Sequence, residues 1–187
     1  MAIIYIKNMV CSRCIMVVRS VTQELHLPAQ DIELGEVNFN RTLTKDEKDS
    51  LSKALSPLGF EIIDSKKSRT IEQIKNSIIQ IVHHHTERMN TNLSEYLSQK
   101  LHHDYNYLSN LFSEVEGITI EKYFIAQKIE KVKELLVYDE LSLSEIADRL
   151  NYSSVAYLSN QFKKATGLSP SHFKQLKEVK RLPLDKV

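Results

Sequence analysis

The chain has 187 residues and carries 25 Lys and Arg against 24 Asp and Glu, so its formal net charge at pH 7 is +1. That length suits two small domains, each able to bury a core. No apolar run reaches the ~18 residues of a membrane span, and Lys7 and Arg13 interrupt the apolar N-terminus, so neither a membrane nor a signal peptide is expected and the protein should be cytoplasmic.

The N-terminal stretch reads strand, helix, strands, helix, strand. Ala2-Ile3-Ile4-Tyr5-Ile6 is short and β-branched. Cys14 to Leu25 places Ile15, Val17, Val18, Val21 and Leu25 for a helix packed on one side. Asp31 to Phe39 alternates as Ile32, Leu34, Val37 and Phe39 around Gly35, which fits one strand or a very short hairpin. Lys45 to Leu55 is a second amphipathic helix, Pro57 to Gly59 breaks it, and Phe60 to Ile63 is the last strand. The sum is an α+β sandwich over residues 1–64.

Between the first strand and the first helix lies Met9-Val10-Cys11-Ser12-Arg13-Cys14. Two thiols three apart converge on one soft ion, and a helix N-terminus favours thiolate. The pair suits two-coordinate Cu(I) or half of a Zn(II) site, whose other ligands would come from a second subunit. Lys7 and Arg13 should lower the thiol pKa, which serves thiol redox sensing equally well. Metal sensing, redox sensing and an unused inherited loop stay open as readings.

The polar, lysine-rich stretch 65–69 marks a linker, and from Thr70 to about His85 apolar residues recur at helical spacing through Ile71, Ile74, Ile78, Ile79, Ile81 and Val82. His83-His84-His85 does not make a metal site, because consecutive helical residues point ~100° apart. A helix-end cluster favoured by the dipole is the expected account, and His102 and His103 belong to a turn.

Residues 70–187 show no strand pattern. Instead a block repeats: Tyr107-Leu108-Ser109-Asn110-Leu111-Phe112 returns as Tyr157-Leu158-Ser159-Asn160-Gln161-Phe162, followed in each case by a glycine, Gly117 and Gly167. Asn92 and Ser142 each stand three residues before a glutamate, the capping-box pattern for the preceding short helix. Each half is then a helix-turn-helix pair, at about 92–115 and 142–166, and Thr119 to Tyr138 forms one helix between them. At 1.5 Å per residue that helix spans roughly 30 Å, close to the ~34 Å of a DNA turn.

Leu108, Phe112, Leu158, Phe162 and Ala165 fall on the core face of the second helices. The opposite faces offer Asn106, Ser109, Asn110 and Ser113 in the first copy and Ser154, Ala156, Ser159, Asn160 and Lys163 in the second. Short polar groups let a helix approach base edges, and an asparagine can pair with adenine N6 and N7. Lys100, Lys128, Lys131, Lys163, Lys164, Lys174 and Lys177 are candidate phosphate contacts, with Lys163 and Lys164 best placed. Charge supports the asymmetry: residues 141–187 hold 8 Lys and Arg against 4 Asp and Glu, whereas 88–140 hold 6 against 9.

Residues 70–180 resemble the DNA-binding domain of AraC/XylS transcription regulators. Ile146-Ala147, Leu150, Tyr152-Ser153, Tyr157, Phe162-Lys163-Lys164-Ala165-Thr166-Gly167, Ser169-Pro170 and Phe173 carry the resemblance. It implies a seven-helix module with two helix-turn-helix units joined by the long helix. Asn151 stands at the family's turn glycine and tolerates the left-handed backbone required there. In the first copy His102 takes the glycine place and Ser98 the usual alanine place. Many members have arginine where Asn110 and Asn160 stand, so site preference does not carry over.

Residues 1–64 are similar to the ferredoxin-like heavy-metal-associated domain of copper chaperones and P-type ATPases, with Asn8 in place of a glycine and the Gly59-Phe60 loop facing the metal end. The expectation is therefore a regulator that binds double-stranded DNA and meets RNA polymerase, as monomer or homodimer. Its sensor would answer to Cu(I) or Zn(II) through Cys11 and Cys14. The rival is a metal-trafficking or redox protein whose helical half docks partners. An enzyme is not expected, since no Gly-rich phosphate loop and no nucleophile, base and oxyanion-donor set are present.

Overall fold

The structure, a computed structural model, describes residues 2–84, 91–175 and 183–187. It divides into two compact units, residues 1–76 and 77–187.

In the first unit β1 (Ala2–Lys7), α1 (Ser12–Glu24), β2 (Ala29–Glu33), β3 (Glu36–Phe39), α2 (Lys45–Leu55) and β4 (Glu61–Ile63) follow one another. The sheet order is β2-β3-β1-β4 and every pairing is antiparallel, the ferredoxin-like arrangement. The period of two in β1 sends Ile4 and Ile6 into a core with Val18, Val21, Val37, Phe39, Leu51 and Leu55. Val17 lies outside that core, 38% exposed. The Asp31 to Phe39 stretch resolves as a hairpin, because Gly35 at φ +85° closes a two-residue loop between paired Glu33 and Glu36.

The stretch 65–69 is not an extended linker. Helix α3 (Lys66–Ile79) starts there, with the Ser65 hydroxyl accepting from the Ser68 amide at 3.3 Å. Within the first unit α3 lays the Arg69 guanidinium 5.0 Å from the Tyr5 ring centre, donates from Gln73 to the Glu36 carboxylate at 2.9 Å, and donates from Asn76 to the Leu34 carbonyl at 3.3 Å. The division between units falls inside this helix.

In the second unit a π-helical turn (Gln80–His84) follows, then α4 (Leu93–Leu101), α5 (Tyr105–Glu116), α6 (Ile120–Tyr138), α7 (Leu143–Arg149), α8 (Val155–Thr166) and α9 (Pro170–Gln175). Helix α6 is the axis of this unit. Its Ile129, Val132, Leu135 and Leu136 share a core with Ile146, Leu150, Leu158, Phe162 and Phe173. Toward its other end Tyr123 meets Phe112, ring centres 5.6 Å apart.

Gln127 of α6 is fully buried and saturated: its amide nitrogen donates to the Tyr123 hydroxyl and the Leu184 carbonyl, and its oxygen faces His83 Nε2 at 3.0 Å. Because a carbonyl can only accept, that orientation makes His83 the donor through Nε2. Burial drives the His83 pKa down to about 4, so the dipole-charged reading fails for it. His84 is exposed and His85 lies outside the described residues.

Candidate nucleic-acid interface

Both copies of the repeat are built by the same local chemistry. Helix α4 ends on His102 at φ +53° and α7 is followed by Asn151 at φ +53°, the left-handed turn residues. In the second copy the Tyr152 amide reaches back to the Ala147 carbonyl at 2.8 Å, which closes the turn. The second helices are capped: the Asp104 carboxylate accepts from the Asn106 and Tyr107 amides, and the Ser154 hydroxyl accepts from the Tyr157 amide at 3.1 Å. Gly117 and Gly167 end them in left-handed conformation. Ser142 forms the full reciprocal box with Glu145. Asn92 caps the Glu95 amide, but the Glu95 carboxylate is taken by Gln99 at 3.2 Å, so that box is half made.

Leu108, Phe112, Leu158 and Phe162 are fully buried. Asn106 and Asn110 on α5 are exposed with Ser109 and Ser113 half-buried; on α8 Ser154, Ala156, Asn160, Lys163 and Lys164 are exposed with Ser159 half-buried. Ala165, expected in the core, is exposed: it shares the face of Leu158 and Phe162 but lines the open groove between α6 and α8. Among the described residues the Asn160 amide and the Lys163 and Lys164 ammonium groups meet no partner. Ser154 differs, because its oxygen is committed to the cap. Helix α6, 19 residues long, separates the copies by about 28 Å at 1.5 Å per residue.

The candidate phosphate lysines differ in what surrounds them. Lys128 is buried, its ammonium 3.9 Å from the Tyr152 ring centre, and desolvation holds its pKa down to about 8. Lys131 is paired with Glu134 at 2.7 Å, and Lys174 with Asp139. Lys100 bonds Gln80 and Tyr96. Lys177 lies outside the described residues. Lys122, exposed at the N-terminal turn of α6, was not foreseen; the signal available was its spacing of three from Ile125 on the helix that follows the first copy.

In the first unit Cys11 is the N-cap position of α1 and Cys14 lies in its first turn, with sulfurs 3.5 Å apart. Asn8 takes φ +70° where a glycine would be expected and donates to the Gly59 carbonyl at 2.9 Å, tying the thiol loop to the Gly59 loop. Tetrahedral ligands 2.3 Å from zinc would be about 3.8 Å apart, so the pair fits half of such a set; a linear two-coordinate ion would need the sulfurs to open. Among the described residues no group of three His, Cys, Asp or Glu could hold a metal. Burial pushes the Cys14 thiol up, outweighing the backbone hydrogen bonds that favour thiolate, the reverse of the lowering expected from Lys7 and Arg13.

Comparison with known proteins places these features. Residues 97–176 match a helix-turn-helix domain model. The chain is 29% identical over 115 residues to the uncharacterized HTH-type transcriptional regulator YtdP of Bacillus subtilis, covering 62% of this chain and 15% of YtdP. It is 29% identical over 174 residues to the melibiose operon regulatory protein of Escherichia coli, covering 88% and 54% respectively. The chain thus spans about half of one relative's length and less of the other's. The C-terminal domain of the response regulator AraT from Geobacillus stearothermophilus superposes with TM-score 0.50 at 27% identity, over 64% of this chain and 92% of that domain. Among the described residues no helix is long and apolar enough to cross a membrane. The helical half of this chain thus resembles the helix-turn-helix domains of AraC/XylS-type transcription regulators.

Proposed function

We propose that the chain is a cytoplasmic, sequence-specific transcription regulator that lays α8 in a major groove. Asn160 reads an adenine edge, Ala156 offers its methyl group to a thymine methyl, and Lys163 and Lys164 hold phosphates. The observation that carries this is the exposed Asn160 amide on the second helix of a capped helix-turn-helix, beside two lysines, all three without a partner among the described residues. Ser154 and Ser159 flank it, and Asn106, Ser109 and Asn110 give α5 a like but uncharged face.

Selection of duplexes from a random pool by the purified protein tests this. A defined sequence should emerge, and Asn160→Ala should cost about 1–3 kcal/mol on it while sparing non-specific binding. Lys163→Ala with Lys164→Ala should weaken all duplexes and flatten the log–log salt slope by about 0.9 per lost phosphate contact. A pool that returns no preference, with no salt dependence, would favour the rival in which the helical half docks proteins. RNA polymerase is the protein partner this reading implies.

A second reading concerns the N-terminal unit, and the 3.5 Å sulfur separation supports it. Cys11 and Cys14 take a thiophilic ion, Cu(I) alone or Zn(II) shared across a homodimer, and its binding alters DNA affinity. Since the Cys14 thiol is raised, loading must displace its proton and should strengthen with rising pH. Operator affinity is measured for wild type and for Cys11→Ser with Cys14→Ser, with and without each ion. Equal affinities throughout would remove the sensor role.

A further inference from the structure

Beside the reading face of α8 the second unit carries a groove of about 530 Å³ between α6 and α8. That volume is in the range of small-molecule sites, roughly 300–1,000 Å³. Its walls are apolar: Ile125 from α6, the Tyr157 ring and the Ala165 methyl from α8. The ring is held as a wall, because Gln161 Nε2 donates to the Tyr157 hydroxyl at 3.1 Å, and Tyr157 is itself 52% exposed. Two ammonium groups, Lys122 and Lys164, stand at the rim with the Asn160 amide, and no carboxylate lines the groove among the described residues. The nearby Glu121 is engaged by the Tyr105 hydroxyl.

We propose that this groove is a ligand site for a small carboxylate with an apolar, ring-bearing body, and that its occupant competes with DNA. The body packs between Ile125 and Tyr157 while the lysine stems cover it and their heads meet the carboxylate. A DNA backbone fits the groove less well, since a phosphate gains nothing from Ile125 and Ala165. Competition follows because Asn160 and Lys164 serve both the groove and the candidate reading face. The competition, though not the site, rests on the DNA-binding role given to α8.

The test uses the full chain, with 2-naphthoate as probe and 2-naphthylmethanol as its neutral counterpart, followed by calorimetry. Naphthoate should bind one to one and more tightly than the alcohol. Lys122→Ala should weaken it about ten-fold, and Ala165→Trp, which fills the groove from an exposed position, should abolish it. Absence of saturable binding, or equal affinity in both variants, overturns the site. So does a Lys122→Ala variant that loses duplex affinity and salt slope while naphthoate fails to bind, for then the groove holds a phosphate strand. At ten times its own Kd, naphthoate should weaken duplex binding about eleven-fold by mass action; unchanged duplex affinity overturns the competition. Naphthoate binding in a protein that binds no duplex would uphold the site and remove the DNA reading instead.

Discussion

Single residues decide several features through backbone sterics and burial. Asn8, His102 and Asn151 all stand at φ between +53° and +70°, and each replaces a glycine that the family resemblance led one to expect. Asn151→Gly should change stability by less than about 0.5 kcal/mol, whereas Asn151→Val, β-branched in a left-handed well, should cost about 1–2 kcal/mol; urea unfolding of both variants checks this. His83 offers a pH test. Its folded pKa is depressed to about 4 below an unfolded value near 6.5, so the unfolded chain binds the extra proton. Its stabilising contribution is complete above about pH 6.5 and falls away toward pH 4. The loss should approach 1.4 kcal/mol per pH unit between pH 6 and 5. In His83→Gln, unfolding free energy should be flat over that window; an equal slope in both proteins would show that other groups titrate.

At the scale of elements, caps and turns fix boundaries that hydrophobic periodicity leaves loose. Ser142 and Glu145 satisfy the start of α7 reciprocally, so that boundary is legible in sequence. The start of α3 is not, since Lys66 to Arg69 carry no apolar signal and become helical only because Ser65 caps them and Arg69 stacks on Tyr5. The β2–β3 hairpin is the sharpest case. A Cβ on Gly35 would come within 2.1 Å of Asn76 Nδ2, and Gly35 also needs positive φ. Gly35→Ala should therefore destabilise the protein by more than about 1 kcal/mol, read as a lowered urea midpoint; an unchanged midpoint would mean that Asn76 swings aside without loss.

For the molecule as a whole, two compact units carry separable chemistry, thiols in residues 1–76 and the helix-turn-helix pair in 77–187. The pair is alike in its closing glycines and buried Leu and Phe, but not in the first-helix capping box or in charge. Helix α8 carries Lys163 and Lys164, while α5 has no lysine or arginine. Alanine at Asn110 should accordingly cost less than at Asn160, by at least about 1 kcal/mol on the selected duplex. Comparable losses at both would make the two helices equal readers.

The sequence by itself determined the order of elements, the ferredoxin-like and double helix-turn-helix architectures, the buried Leu and Phe of the repeat and its exposed polar flanks. Element order, the repeat and its faces rest on period, caps and turn residues, which are local, and the ferredoxin-like architecture on the family resemblance. Tertiary structure alone decided that Lys128 is stacked on Tyr152, that Lys131 and Lys174 are paired, that His83 is neutral, and that Cys14 is raised rather than lowered. Charge state and availability depend on what other elements bring within a few ångströms, and no spacing along the chain encodes that distance.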